Sequence, residues 1–303
     1  MTKPSINHLT AMHNPLILML VTVTIFFLML ALGSKLSVEN ILCFWRKPAL
    51  VLRALLAVLL LVPLEVIVLM KFFHLPPEVT IGLALLAAAP GAPLSTKRAQ
   101  IAGGNLGYAA SLQLTLVILA VFVTPSTLAI FAILFADISQ KVAILDVARQ
   151  VMMVQILPVS LGLFINKFAP TFAQRIAQPL TLIADSLFFG LVILACIFGL
   201  PLLYKLWVLP LGAIAKRCCK QFAIMVIASL GIGHALGRFD HDTRSTLAIF
   251  CVARNFGLAL FIAILNDVQQ QVMPTLVAYL ILGAFVGVPY SIWNKRRLAE
   301  NPS

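Results

Sequence analysis

Long apolar runs separated by short polar segments make up most of this chain. Each run is close to the roughly 20 residues that cross a hydrocarbon core of about 30 Å, and the runs lack the strict alternation of barrel strands. Because a backbone in lipid must satisfy its own polar groups, the pattern predicts an all-α integral membrane protein. About nine transmembrane helices are expected, at Leu16–Leu36, Ala49–Phe73, Val79–Thr96, Tyr108–Phe135, Val147–Phe168, Leu180–Leu200, Gly212–Leu236, Thr246–Leu265 and Val272–Trp293.

The composition agrees with this pattern. The 303 residues are 61% hydrophobic and 11% charged, and the mean hydropathy is +1.05. A soluble domain must cover its exterior with polar groups, so residues 1–303 are expected to form a single membrane domain. The net charge of +12 is spread between the apolar runs, which is typical of the positive-inside rule and does not indicate a nucleic-acid partner.

The distribution of basic residues also predicts an orientation. A cytoplasmic C-terminus places 13 Lys and Arg residues in cytoplasmic segments and 8 in outer ones. This bias predicts an outer N-terminus and a cytoplasmic C-terminus. The compact chain is typical of a bacterial protein, so the expected location is the bacterial inner membrane.

Two predicted helices carry helix-breaking or charged residues within the span. The third runs into Pro90-Gly91-Ala92-Pro93, and the eighth contains Arg254-Asn255-Phe256-Gly257. Proline removes a backbone donor and glycine loosens the helix, so both segments are expected to unwind. Unwound backbone at membrane depth is tolerated only where protein or a water-filled cavity surrounds it.

These interruptions hold corresponding positions in the two halves of the chain. The first half, about residues 16–135, and the second, about 180–293, flank a linking helix at about 147–168 and thread the membrane in opposite directions. Paired broken helices in such an inverted repeat are typical of a transporter with its site near the bilayer midplane. The pattern therefore favours a small-solute transporter.

The same segments resemble the signatures of the bile acid:sodium symporter family. The first is Pro90-Gly91-Ala92-Pro93-Leu94-Ser95-Thr96 followed by Gly103-Gly104-Asn105, and the second is Arg254-Asn255-Phe256-Gly257-Leu258-Ala259, where the family usually has Gln-Asn-Ser-Gly-Leu-Ala. The likeness in layout extends from about Leu16 to Trp293. Nine spans also resemble those family members that lack the first helix.

The resemblance implies a core bundle that contains the crossing broken helices and a panel bundle that moves against it. The implied activity is symport of an organic anion by alternating access, usually driven by sodium. The residues that it implies for binding substrate or ion are Pro90, Gly91, Ser95, Thr96, Asn105, Gln113, Arg254, Asn255 and Gly257.

The chain departs from the family pattern at the expected sodium ligands of the first interruption. Ser95-Thr96 stands where the family has Ser-Asn, and Ala109 and Gln113 stand where it has Ser and Thr. A hard cation requires oxygen ligands. At most a weak sodium site is therefore expected, near Ser95, Thr96 and Gln113, and no other metal is expected.

The second interruption departs further. Phe250 replaces the family's glutamate, Arg254 its glutamine, and Val58 a glutamine of an earlier helix. Three hypotheses for Arg254 remain open: a tethered substitute for one sodium, a partner for a substrate carboxylate or sulfonate, or a structural group bonded to carbonyls freed by unwinding. A charge at the bilayer centre requires some partner.

Further ionisable residues lie within the spans. Glu65 and Asp185 are possible proton carriers, since burial favours the protonated form of a carboxyl. Lys97 and Arg98 follow the first interruption and either snorkel to the cytoplasmic surface or line an anion-attracting vestibule.

The alternatives to sodium symport are a proton-coupled or uncoupled organic-anion carrier and a membrane receptor that binds without transport. An enzyme is not expected, because neither a His-rich metal cluster nor a nucleophile elbow occurs. No cofactor is expected beyond sodium or a proton as the coupling ion. The expected partners are an organic anion and the lipid bilayer, and the pattern predicts neither the substrate nor the oligomeric state.

Overall fold

The computed structural model describes residues 15–36, 38–73, 75–135, 138, 144–208, 212–237 and 241–300. The predicted outer N-terminal segment and the extreme C-terminus lie outside the described residues. Regular secondary structure within the described ranges is helical throughout. This agrees with the expected all-α class.

Twelve helices follow one another in the described residues. They are α1 (Pro15–Lys35), α2 (Val38–Trp45), α3 (Pro48–Leu55, a π turn at Leu56–Leu61, and Val62–Phe72), α4 (Pro77–Ala88), α5 (Ser95–Ile101), α6 (Leu106–Leu134), α7 (Ile144–Val151, a π turn at Met152–Ile156, and Leu157–Phe168), α8 (Pro170–Val208), α9 (Gly212–Leu236), α10 (His241–Val252), α11 (Phe256–Leu265) and α12 (Gln269–Glu300).

Seven of the described helical segments are long and apolar enough to cross a membrane. Pro77–Ala88 and Lys220–Leu236 are apolar but shorter. The expected number of nine spans therefore stays a prediction. The sixth predicted span is longer than expected, because α8 begins at Pro170 and continues through Pro179 and Pro201.

Both π turns precede a proline. The turn at Leu56–Leu61 leads into Pro63, and the turn at Met152–Ile156 leads into Pro158. A proline ring displaces the carbonyl four residues earlier and supplies no N–H, so the preceding turn widens instead of ending the helix.

The helices differ in how far the rest of the protein encloses them. In the most apolar part of Pro170–Pro201, 22% of the residues are buried inside the protein, whereas in the most apolar part of His241–Leu265 all of them are. Helix α1 packs mainly against α7 and α8, while α4 packs against α12, α6 and α11. The two interrupted helices therefore lie at the centre, with α1 and α8 outside them.

Candidate functional site

The first interruption comprises residues 89–94, between α4 and α5. Gly91 has a φ of +71° there, a conformation that L side chains adopt only with strain. The side chain of Gln113 on α6 donates from Nε2 to the carbonyl oxygen of Gly91 over 2.8 Å. Proline and glycine thus interrupt the helix, and one amide from the next helix holds the unwound backbone.

The second interruption is shorter and comprises residues 253–255, between α10 and α11. Asn255 caps α11, since its Oδ1 accepts from the backbone N–H of Leu258 over 3.0 Å. The hydroxyl of Tyr279 donates to the carbonyl oxygen of Val252, at the end of α10, over 2.7 Å. Side chains from within and outside the segment therefore satisfy the backbone groups that the interruption frees.

A backbone hydrogen bond joins the two interruptions. The N–H of Asn255 donates to the carbonyl oxygen of Ala89 over 2.9 Å. Both residues are buried, at 1% and 0% exposure. The two unwound segments therefore lie against each other inside the protein.

Arg254 connects the second interruption to two other helices. Its Nε donates to the carbonyl oxygen of Leu86 over 3.0 Å, its Nη1 donates to that of Val58 over 3.2 Å, and its Nη2 donates to that of Ala87. Leu86 and Ala87 lie in the last turn of α4, where the regular helical hydrogen bonds end, and the carbonyl oxygen of Leu86 also accepts from the N–H of Ala89 over 3.1 Å. Val58 lies in the π turn of α3. One guanidinium thus holds three carbonyl oxygens, and Arg254 itself is 5% exposed.

Several polar atoms around the interruptions are buried without a hydrogen-bond partner in the described part of the chain. They are Ser95 Oγ, Thr96 Oγ1, Gln113 Oε1 and Asn255 Nδ2. Buried polar groups without a partner are uncommon and call for an explanation such as an absent water, ion or ligand. Oxygen atoms prevail around the first interruption, which is the property that a hard cation requires.

Two cavities adjoin the interruptions. The larger, of about 510 Å³, lies between α1, α8 and the first interruption, and its lining includes Thr96, Lys97 and Asp185. The smaller, of about 100 Å³, is lined by both interruptions and includes Arg254. Pro93 and Leu94 line both cavities, so the first interruption separates them.

The other predicted site residues, Pro90, Gly257 and Asn105, have different surroundings from one another. Pro90 is buried within the first interruption, and Gly257 packs against Ile25 of α1. Asn105 lines neither of these two cavities: its Oδ1 accepts from the N–H of Tyr108 over 2.8 Å, and its Nδ2 donates to Asp242 over 3.1 Å. Asn105 thus caps α6 and ties it to α10.

The two candidate proton carriers have different surroundings. Glu65 accepts from the Ser229 hydroxyl of α9 over 2.9 Å, while its second carboxylate oxygen is buried with no hydrogen-bond partner in the described residues. Asp185 forms an ion pair with Lys97.

Sequence reasoning did not find Tyr279 or Ser229. Tyr279 is 27 residues away from its partner Val252, and Ser229 is 164 residues away from Glu65. An isolated hydroxyl in an apolar helix gives no signal of its own along the chain. Only the packing of the helices brings each hydroxyl to its acceptor.

Comparison with known families gives a match over residues 22–206 with the Sodium Bile acid symporter family. The matched region covers more than half of the chain and extends from α1 into α8. The chain belongs to this family. The predicted family is thereby confirmed, while Arg254 lies beyond the matched region.

Individual proteins match a larger share of the chain. The uncharacterized sodium-dependent transporter YocS of Bacillus subtilis is 22% identical over 84% of this chain and 77% of its own length. The probable sodium/metabolite cotransporter BASS2 of Oryza sativa, a chloroplast protein, is 24% identical over 93% of this chain and 65% of its own. The human P3 protein is 25% identical over 82% of this chain and 51% of its own.

The residues around the second interruption offer few free oxygen ligands to a cation such as sodium. Phe250 and Val58 are each 0% exposed and bring no side-chain oxygen. The carbonyl oxygens of Val58, Leu86 and Ala87 already accept from Arg254. Clusters of three or more His, Cys, Asp or Glu are absent from the described residues. A cation is thus already present at this point, as a side chain.

Proposed function

We propose that this protein is a secondary active carrier that moves an organic anion across a membrane by alternating access. The observation that carries the proposal is the hydrogen bond between Asn255 and Ala89, which joins two unwound segments next to two cavities. Unwound backbone that meets inside a helical membrane protein is the usual arrangement of a transporter site.

The proposed architecture has nine spans. Helices α4–α5 and α10–α11 each count as one interrupted span, and the halves at about 16–135 and 180–293 form an inverted repeat around the linking helix at about 147–168. The proposed core comprises α3–α6 and α9–α12, and α1, α7 and α8 form the panel. The packing of α1 on α7 and α8 supports this division, as does the burial of the interrupted helices.

An anionic substrate agrees with the charges around the cavities. Lys35 and Lys97 line the larger cavity, Arg98 and Arg254 line the smaller one, and Asp185 is the acidic residue of the larger lining. Apolar side chains make up much of the remaining wall. Such a lining suits a molecule with an apolar body and an anionic group.

For the coupling ion, Arg254 acts as a tethered cation in place of one sodium. The support is that its donors bind three backbone carbonyl oxygens and that Phe250, which stands where the resemblance implies a glutamate, is buried and brings no oxygen. A structural guanidinium and a tethered cation make the same contacts, so two of the three hypotheses for Arg254 become one. The oxygens of Ser95, Thr96 and Gln113 are the proposed location of any remaining, weak sodium site.

Proton coupling is the second candidate. It is favoured by Glu65, whose carboxyl bonds to Ser229 with one oxygen and leaves the other without a described partner. A buried carboxyl can change its protonation state as its surroundings change. An uncoupled carrier and a non-transporting receptor are the remaining alternatives.

The proposed placement follows from the basic residues. With nine spans, 13 Lys and Arg residues fall on the side of the C-terminus and 8 on the other. The positive-inside rule then puts the C-terminus in the cytoplasm and the N-terminus outside, in a bacterial inner membrane.

Uptake of radiolabelled cholate and 4-phenylbutyrate into proteoliposomes tests the proposal. Uptake is expected with the wild-type protein, and imposed sodium, potassium and pH gradients identify the coupling ion. Accumulation that follows only the pH gradient would exclude sodium coupling. Saturable binding without uptake would contradict a carrier and favour a receptor.

A further inference from the structure

The ion pair between Lys97 and Asp185 lies in the wall of the larger cavity. Lys97 is near the start of α5, directly after the first interruption, and Asp185 lies within α8, 88 residues further along the chain. Both side chains line the cavity. The pair therefore connects the interrupted helix to the outer helix on the opposite side of the cavity.

This pair remains accessible from the cavity. The side chain of Lys97 is 49% exposed and that of Asp185 is 17% exposed. Partly exposed ion pairs contribute little to stability because water competes with each partner. An incoming carboxylate or sulfonate can therefore replace Asp185 on the ammonium group of Lys97 at little cost, since one charge-assisted hydrogen bond is exchanged for another.

A second polar group lies beside the ammonium group. Thr96 lines the same cavity, and its hydroxyl is buried without a hydrogen-bond partner in the described part of the chain. This hydroxyl is a donor that the protein leaves unused. A ligand anion that contacts Lys97 thus has a second donor in the neighbouring residue.

The charges in the lining limit the ligand further. Two lysines, Lys35 and Lys97, and one aspartate, Asp185, leave a formal excess of one positive charge. A ligand with one negative charge neutralises this excess, whereas a dianion leaves an uncompensated charge among apolar side chains such as Leu28 and Leu32. The lining therefore favours a monoanion with an apolar body over a dianion.

We infer that Lys97 is the substrate-binding cation and that Asp185 occupies it in the absence of substrate, so that a monoanionic, amphiphilic substrate displaces Asp185 and releases α8 from α5. This inference rests on the proposed carrier function for its role in transport. The binding step, in which one carboxylate replaces another on Lys97, stands on the cavity and the ion pair alone.

Equilibrium binding to the purified protein in nanodiscs tests the inference, with radiolabelled cholate and 4-phenylbutyrate as probes and their neutral amides as controls. Asp185→Asn leaves Lys97 with no competing carboxylate, so the Kd of both anions is expected to fall roughly threefold to tenfold. Lys97→Gln is expected to raise it by about tenfold or more. The amides are expected to bind equally to all variants.

The opposite signs of the two effects separate this inference from a merely structural salt bridge. If the pair only held the helices together, both variants would weaken binding, and that result would overturn the inference. Lys97→Arg is expected to retain binding, and Lys71→Gln, an exposed lysine at the end of α3, controls for the loss of a positive charge. Thermal unfolding identifies a Lys97 variant that fails to fold. In that case the direction of the change in Kd for Asp185→Asn decides alone.

Two further results separate the inference from the proposed function. Tighter anion binding by Asp185→Asn without uptake by any form of the protein would support the exchange on Lys97 and contradict the carrier. Absence of anion binding to both the wild type and Asp185→Asn would overturn the exchange, because Lys97 is then free and still takes no anion. Uptake measured in the same preparation tests the carrier independently.

Discussion

The two interruptions differ in what keeps their backbone out of the helical conformation. In the first, Pro90 and Pro93 supply no backbone donor, and Gly91 takes a positive φ that other residues adopt with strain. The second has neither proline nor glycine between Ala253 and Asn255. Its conformation depends on contacts with other helices, through Arg254 and Tyr279.

This difference shows two ways to build the same element of a transporter fold. The first interruption follows from local covalent constraints, and the amide of Gln113 and the backbone N–H of Asn255 each donate to one of its carbonyl oxygens. The second follows from a buried cation whose donors satisfy carbonyls of the other half of the protein. Substitutions at the first should therefore act locally, whereas substitutions at Arg254 should separate the two halves.

The largest effect is expected from Arg254→Met. This change removes the Arg254 donors from the buried carbonyl oxygens of Val58 and Ala87, and each buried group left without a donor costs about 1–3 kcal/mol. The carbonyl oxygen of Leu86 loses one of two donors, since the N–H of Ala89 also donates to it. We expect the free energy of unfolding to fall by about 3 kcal/mol or more, measured by thermal unfolding in detergent. The free energy of unfolding of Arg254→Lys should lie between those of the wild type and Arg254→Met. Arg46→Met, at an exposed position, should have little effect on it. A wild-type stability for Arg254→Met would mean that the cation does not hold the interruptions together.

Gly91→Ala tests the first interruption. The φ of +71° disfavours any L side chain, and the added Cβ would lie 3.1 Å from Leu116 Cβ. A loss of about 2 kcal/mol is expected, mostly from the left-handed backbone. Gly231→Ala is the matched control, because its Cβ would meet no atom within 4 Å and alanine favours the helix. Equal stabilities of the two variants would contradict a strained Gly91.

The double variant Phe250→Glu/Arg254→Gln sharpens the comparison by restoring the residues that the family resemblance implies. Removal of the Arg254 guanidinium and addition of a carboxylate should create a site for a sodium ion. At a sodium concentration ten times the Kd, bound sodium would stabilise the variant by about 1.4 kcal/mol. Thermal unfolding in sodium and in potassium measures this difference. A sodium response no larger than that of the wild type would count against Arg254 as a substitute for the ion.

Tyr279→Phe should have the smallest effect. It removes one buried hydrogen bond of 2.7 Å to Val252, which is worth about 1 kcal/mol. Tyr108→Phe is the control, because the hydroxyl of Tyr108 is buried with no hydrogen-bond partner in the described residues, and its removal should be neutral or stabilising. Thermal unfolding of both variants checks the contrast, and a greater loss in Tyr108→Phe would reverse it.

The family, the helical class and the position of the first interruption follow from the sequence alone. Apolar runs of membrane length require helices because lipid offers no hydrogen-bond partners. Proline and glycine act on their own backbone, so Pro90, Gly91 and Pro93 mark an interruption without reference to any neighbour. These signals are local, and a local signal can be found along the chain.

The partners of the charged residues were decided only by the tertiary structure. Arg254 and Leu86 are 168 residues apart along the chain, and Lys97 and Asp185 are 88 residues apart. The sequence of an apolar helix does not indicate which neighbouring helix it will contact. The sequence indicated that Arg254 required a partner, because a charge in the membrane cannot remain unpaired. The packing of α3 and α4 around it determined that the partners are carbonyl oxygens, which belong to the π turn of α3 and to the last turn of α4.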